Sequence, residues 1–234
     1  MEKKKSLGKT LQSLVLVASL ILLPLGSWYY LQSGYTYHKQ ALAELKDYGE
    51  LPAFELRDQN GQSFTKDSLL GSIAISAFYN SDDPQTDDLF GFIRRLHEQF
   101  DDRHGVLFLL HDLKATDTPD ELKSLANRYE IKDDKQILLL TAQADRMQAL
   151  LDKGYQVPDL ENGRNTEGKY GTRAASSSDF RQYPYLVITD TKAGVRNYYA
   201  YGDIASQKRL IEHIALTMPR KKSNPRMNPQ KENL

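Results

Sequence analysis

The chain of 234 residues contains no cysteine, and this absence constrains its fold and its chemistry more than any other feature. Neither disulfides nor thiolate zinc sites can hold the structure together, so a hydrophobic core has to do so. With 40% hydrophobic residues, the chain has enough apolar surface for one good-sized domain. The same absence excludes thiolate nucleophiles and thiol redox chemistry, so we expect no enzyme activity of that kind.

Charge is distributed unevenly along the sequence. Residues 1–10 carry a net charge of +3 and residues 219–234 carry +4, and because the formal net charge is +0, the part between them carries −7. An acidic domain repels phosphate backbones, which predicts no binding to nucleic acid. The last of these segments, residues 219–234, is rich in Pro, Asn and Lys and is predicted to be a basic disordered tail.

An uncharged apolar run, "LVLVASLILLPLGSWYYL", occupies Leu14 to Leu31. As a helix it would rise about 27 Å, close to the hydrocarbon thickness of a bilayer. We therefore predict a transmembrane anchor over residues 11–31, with the basic residues 1–10 in the cytoplasm and the rest outside a bacterial inner membrane, in the periplasm. The alternative is a cleaved signal peptide, but the run is long and no small-residue cleavage motif follows it.

The remaining sequence predicts a stalk helix over residues 32–50, ending at Gly49, and a folded domain over residues 51–218. Within the domain, apolar runs and turn signals predict an Asn-Gly hairpin in "FELRDQNGQSF" and strands in "SIAISAFY", "VLFLLHDL", "QILLL", "PYLVITD" and "VRNYYAY". Helical spacing follows three of these strands and closes the domain in "DIASQKRLIEHIALTM". Such an order of elements predicts an α/β sandwich with a mixed sheet.

Two helix starts carry specific signals. Thr118 as N-cap, Pro119 at the first helical position and Glu121 at the third form a capping-box pattern. Pro84 is predicted at the first position of an earlier helix. Residues 156–180 lack periodicity and are predicted to form a long loop, of a length that is often functional or disordered.

Three segments resemble the SCO/SenC family, membrane-anchored thioredoxin-fold proteins that assist copper-site assembly in cytochrome c oxidase. They are "FELRDQNGQSFTKDSLLGSIAISAFYN", "DLKATDTPDELKSLANRYEI" and "ILLLTAQADRMQALL", of which the Asp-Thr-Pro segment is the most specific. The resemblance implies a thioredoxin-like fold with an N-terminal β-hairpin extension. It also places Pro184 where such folds have a proline, often cis, that faces the active-site loop.

The chain departs from the family at the positions of all three copper ligands. The two cysteines of the family's C-P-x-x-C loop match Asp83 and Asp87, and its copper-binding histidine matches Gln182. Copper(I) prefers sulfur and imidazole, whereas carboxylate and amide oxygens suit hard cations. We therefore expect a divergent member that binds neither copper nor another cofactor.

Two groups of residues leave a metal role open. Asp82, Asp83, Asp87 and Asp88 could form a hard-cation site, or could be acids placed favourably at a helix N-terminus, which is the commoner arrangement. His111 ends a buried strand and is a weak metal candidate, whereas a hydrogen-bonded structural histidine is the commoner case.

The resemblance and the missing ligands together predict a non-catalytic accessory or assembly factor for a respiratory oxidase, which acts by binding a protein partner. The candidate contact residues are Asp82, Pro84, Tyr183 and Pro184. Two alternatives stay open at this point: a metal-handling or redox-related protein that uses ligands other than cysteine, and a general scaffold of the cell envelope.

Overall fold

The structure is a computed structural model that describes residues 3–101, 103, 105–114, 118–156 and 185–218. The chain divides into two compact units, Met1–Glu44 and Leu45–Leu234. Most of the predicted loop 156–180, the tail 219–234 and the residues Gln182, Tyr183 and Pro184 lie outside the described residues.

The first unit contains one long helix, α1, over Lys3–Glu44. Among the described helices, α1 alone is long and apolar enough to cross a membrane, over Gln12–Glu44, and the helical part of a signal sequence would meet the same criterion. The helix ends at Glu44, before the Gly49 predicted as its stop. Residues from Lys46 onward instead pair with the last hairpin, where the amide nitrogen of Lys46 lies 3.0 Å from the carbonyl oxygen of Arg196.

The second unit is built on a mixed sheet of seven strands, in the order β2-β1-β5-β4-β3-β6-β7. The strands are β1 (Glu55–Asp58), β2 (Ser63–Thr65), β3 (Ile73–Tyr79), β4 (Val106–Asp112), β5 (Ile137–Thr141), β6 (Tyr185–Thr189) and β7 (Val195–Ala200). Strands β3, β4 and β5 are parallel, and the outer pairs are antiparallel. The predicted strands and the mixed sheet are confirmed, including the hairpin, in which Gly61 takes a φ of 75°.

Helices cover both faces of this sheet. They are α2 (Gln85–Glu98), α3 (Pro119–Arg128), α4 (Ala144–Ala149) with a π-helical turn over Leu150–Tyr155, and α5 (Ile204–Thr217); a short 3-10 helix spans Lys66–Leu69. All seven residues of β3 are buried, as expected for a central strand covered on both sides. Ile73 and Ile75 pack in one hydrophobic cluster with residues of α2 and α5, whereas Ala74 packs in a second cluster with the π-helical turn.

Of the two helix starts with specific sequence signals, one is as predicted and one is an exception. The capping box at α3 is confirmed, because the Glu121 carboxylate accepts a hydrogen bond from the Thr118 amide at 2.6 Å and Thr118 caps the Glu121 amide. The exception is Pro84, which has helical angles but precedes the first helical residue, Gln85. Pro84 is therefore the N-cap residue, a position at which its missing amide hydrogen costs no helical hydrogen bond.

Candidate functional site

The site predicted at the end of β3 is a tight turn that leads into α2. The Asp83 amide donates to the carbonyl oxygen of Asn80 at 2.8 Å, and the Thr86 amide donates to the Asp83 carbonyl at 3.0 Å. The buried Thr86 hydroxyl donates to the same Asn80 carbonyl at 2.7 Å. Hydrogen bonds within the turn therefore fix its backbone, from which the acidic side chains project.

Asp82 links the ends of two neighbouring strands. Its carboxylate lies 2.6 Å from the Lys114 ammonium nitrogen, just beyond the end of β4, and its side chain remains 73% exposed. Parallel strands place their carboxyl ends at the same edge of a sheet, which brings these residues together. An ion pair this exposed contributes little to stability. Because most of the Asp82 side chain is exposed, it is accessible for contact with a partner.

Asp87 is tied to α3. Its carboxylate accepts a hydrogen bond from the Tyr129 hydroxyl and lies 3.9 Å from the Arg128 guanidinium. Tyr129 in turn stacks on Phe90 with ring centroids 4.1 Å apart. Burial, and then the hydrogen bond to Asp87, raise the pKa of Tyr129 to about 12. Asp87 thus joins α2 to α3 through a neutral phenol.

The residues at the positions of the family ligands do not fit Cu(I). Asp83 and Asp87 supply only carboxylate oxygens, and Asp87 is engaged by Tyr129 and Arg128. Among the described residues, no group of three His, Cys, Asp or Glu side chains could hold a metal ion. Because oxygen donors are poor ligands for Cu(I), we assign no copper chemistry to this pair.

His111 lies on the other face of the sheet from α2. Its Nε2 is 3.0 Å from the Tyr155 hydroxyl, which is 2.9 Å from the Ser76 hydroxyl, and its ring stacks on Phe78. Complete burial lowers the pKa of His111 to about 3, so the imidazole is neutral. The structure does not bring His111 together with Asp83 and Asp87, and its contacts are those of a hydrogen-bonded core histidine.

Sequence reasoning missed the residues that hold this region together. Tyr129, at the end of α3, lies 42 positions after Asp87, and Tyr155 lies 44 positions after His111. No local spacing in the sequence relates the members of either pair. Only the three-dimensional arrangement of β4, α3 and the π-helical turn reveals them. The one available signal was the aromatic type of both residues at the ends of amphipathic helices.

The fold matches solved structures of Sco proteins. BsSco, a member of the Sco family of cytochrome c oxidase assembly proteins, is similar with a TM-score of 0.57 at 15% identity, over 76% of this chain and 97% of that one. A SCO1/SenC family lipoprotein from Bacillus anthracis is similar with a TM-score of 0.52 at 16% identity, and the match covers 73% of this chain and 95% of that one. Yeast Sco1 with copper bound is similar with a TM-score of 0.50 at 18% identity, and the match covers 73% of this chain and 92% of that one.

No family model matches the sequence, and no curated protein is significantly similar to it. The structural matches confirm the resemblance to the SCO/SenC family at the level of the fold. The thioredoxin-like architecture, with its hairpin of β1 and β2 ahead of the central strands, is therefore the architecture that the sequence predicts.

Proposed function

We propose that this protein is a non-catalytic, membrane-anchored SCO-like accessory factor that supports assembly of a respiratory cytochrome oxidase by binding a protein partner. The observation that carries the proposal is a Sco-like fold in which the loop after β3 presents carboxylates. Sco proteins of this fold include cytochrome c oxidase assembly proteins. A preserved scaffold with altered loop chemistry favours recognition over catalysis.

The chemistry of the chain supports a role without electron transfer. A thiol–disulfide cycle needs sulfur, and this sequence has none. The Asp87 carboxylate accepts a hydrogen bond from Tyr129, and carboxylate oxygens are poor donors for a soft ion such as Cu(I). The protein accordingly acts through its surface, with neither copper nor another cofactor of its own.

The contact surface of the proposal centres on the turn before α2. Asp82 and Pro84 are exposed there, next to Lys114, and opposite charges in such a place steer a partner and fix its orientation. The sequence predicts Pro184, from the family resemblance, and its neighbour Tyr183 as further contact residues, and the proposal retains both. An anchor in the membrane raises the effective concentration of the domain near a membrane-bound partner, so weak contacts suffice.

The proposed location is the outer face of a bacterial inner membrane, with α1 as an uncleaved anchor. The lysines in residues 1–10 would then mark the cytoplasmic end of the helix. A reporter that works only outside the cytoplasm should be active when it is fused after Leu234. Activity of a cytoplasmic reporter at the same position would contradict this orientation.

Affinity capture from detergent-solubilised membranes tests the proposal directly. We expect the tagged full-length protein to recover oxidase subunits or their assembly factors, and Asp82→Arg to reduce that recovery. The matched control is Asp101→Arg, an equal charge change at an exposed residue beyond the other end of α2. Recovery of unrelated envelope proteins in place of oxidase components would favour a general scaffold and contradict the proposal.

A further inference from the structure

A groove with a basic character runs along β1 on a domain that is otherwise acidic. It consists of two adjoining recesses of about 450 and 530 Å³, which share Glu55, Leu56 and Arg146. Recesses of this size accommodate small ligands or single side chains of a bound segment. β4 separates β5, which borders the groove, from β3, which leads into the Asp83 turn, so the groove is a different surface from the proposed contact site.

The first recess presents two arginines. Glu55 and Arg57 are the outward-facing residues of β1, and the register places Arg57 opposite Thr141 of β5. Arg146, on α4, lines the same recess. The remaining lining is largely uncharged: Leu56, Thr118, Pro119, Thr141, Ala142 and Gln143. Guanidinium groups at the mouth of a recess favour a carboxylate, which they can bind through two parallel hydrogen bonds.

The second recess is mainly apolar. Pro52, Ala53, Phe54, Leu150 and Ala149 contribute to its walls, with Lys153 at its side. Phe54 is held in place by stacking on Phe64, with ring centroids 6.3 Å apart. A fixed apolar wall beside cationic groups suits an extended ligand in which an apolar side chain is two residues from an acidic one, because side chains two residues apart face the same side.

The positive charge of the groove is only partly compensated. Glu55 lies 3.8 Å from Arg146, with both side chains more than half exposed, so the pair is weak. Within the part of the chain that the structure describes, no carboxylate lies within ion-pair distance of Arg57 or Lys153. Exposed cations without partners, in a central region of net charge −7, form a local field that attracts acidic groups.

We propose that this groove binds an extended acidic segment of a partner protein, in which a carboxylate and an apolar side chain are two residues apart and therefore face the groove together. Carboxylates of the segment pair with Arg57 and Arg146, and an apolar side chain enters the recess beside Phe54. A concave groove fits the side chains of an extended segment, whereas a flat lipid surface contacts protruding residues. The inference rests on the proposed function only in taking a protein as the partner, and that partner need not be the oxidase.

Fluorescence polarisation tests this proposal on the full-length protein in nanodiscs of phosphatidylcholine, with empty nanodiscs as the blank. The probe is a labelled hexapeptide in which positions 1, 3 and 5, which face the same side of an extended segment, are glutamate, leucine and glutamate, with serine at the other positions. It is compared with a peptide in which glutamine replaces both glutamates. We expect the glutamate peptide to bind at least about tenfold more tightly at low salt, and this preference to shrink as salt increases.

Variants of the groove give the decisive comparison. Arg57→Gln with Arg146→Gln should weaken binding of the glutamate peptide about tenfold or more, and Ala53→Glu should weaken it by filling the apolar recess with a negative charge. The control is Arg94→Gln with Lys208→Gln, which removes the same charge from exposed positions on α2 and α5. The control should bind like the wild type.

Three results would overturn the proposal. Equal affinity for both peptides would show that the groove does not recognise the carboxylate. Equal losses of peptide affinity in the groove and control variants would show that only the net charge of the protein matters. The third result has two parts: the peptide does not bind, and the protein binds phosphatidylglycerol vesicles in a salt-dependent way. If the groove variant abolished this vesicle binding, the groove would be a lipid contact. Failure to capture oxidase bears on the proposed function and leaves this peptide test unaffected.

Discussion

Individual side chains show how the sheet separates two polar sites. Asp87 binds Tyr129 on the face covered by α2, whereas His111 binds Tyr155 on the opposite face. A metal site needs several donors that converge, whereas α2 holds Asp87 over one face of the sheet and His111 points from β4 to the other face. The His111 imidazole and the Asp87 carboxylate therefore belong to separate hydrogen-bond networks.

His111 predicts a specific pH dependence of stability. Its pKa is lowered to about 3 in the folded protein, whereas an exposed histidine titrates near 6.5, so the unfolded chain binds the extra proton as the pH falls below 6.5. Protonation of His111 in the unfolded chain should lower the free energy of unfolding by about 2 kcal/mol between pH 7 and pH 5. Chemical denaturation at the two pH values should show that His111→Gln loses less stability over this interval than the wild type.

Ser76→Ala is the matched control, because it removes a hydrogen-bond partner of Tyr155 and leaves His111 in place. Its loss of stability between pH 7 and pH 5 should equal that of the wild type. If His111→Gln showed the wild-type pH dependence, the buried neutral imidazole would not account for the loss.

Elements with strong local signals were predictable from the sequence, and those set by tertiary contacts were not. The strands β3 and β4 have long apolar runs, and α3 has a complete capping box, so both types of element follow from local chemistry. The end of α1 did not follow, because residues after Glu44 pair with β7 instead of continuing the helix. Tertiary hydrogen bonds there override the helical composition of the segment.

The π-helical turn after α4 illustrates the same limit. Its sequence, Leu150 to Tyr155, continues a helical pattern, yet the turn widens where Gly154 approaches Pro52. A β-carbon on Gly154 would lie 2.9 Å from Leu150 Cδ1 and 3.1 Å from Pro52 Cδ. This close approach depends on a segment about a hundred residues away, which no local pattern reports.

Gly154→Ala should therefore destabilise the protein. The added methyl group must displace a buried leucine or a rigid proline ring, for which we expect a loss of about 1 to 3 kcal/mol in the free energy of unfolding. Gly202→Ala is the control, because a β-carbon there meets no atom within 4 Å. That change should alter stability by less than about 0.5 kcal/mol. Equal effects of the two substitutions, measured by urea denaturation, would contradict the packing at the π-helical turn.

The whole molecule combines an apolar N-terminal helix with an acidic Sco-like domain. The second unit begins at Leu45, so the residues directly after α1 already belong to the unit that contains the sheet. Leu51 is fully buried there, and its amide donates to the Ala193 carbonyl at 2.9 Å. Tyr48 adds an edge-to-face contact with Tyr198 at 4.9 Å. The segment between helix and hairpin thus stabilises the domain.

Two truncations test this boundary. A chain that begins at Leu45 should unfold cooperatively, since it keeps every contact of the segment. A chain that begins at Pro52 loses the burial of Leu51 and the pairing with β7, and should be less stable by at least about 2 kcal/mol. Urea denaturation followed by circular dichroism compares them. Equal midpoints would show that residues 45–51 contribute nothing to the domain.

We propose that this Sco-like scaffold, which carries carboxylates in the loop that matches the family's ligand loop, recognises partners without holding Cu(I). Anaerobic titration of the full-length protein against a chromogenic Cu(I) chelator tests it most directly, with the combined Asp83→Cys, Asp87→Cys and Gln182→His variant as the sample expected to retain copper. We predict that the wild-type chain leaves all the Cu(I) with the chelator. Retention of one Cu(I) per wild-type chain, lost in Asp83→Ala, would contradict the account.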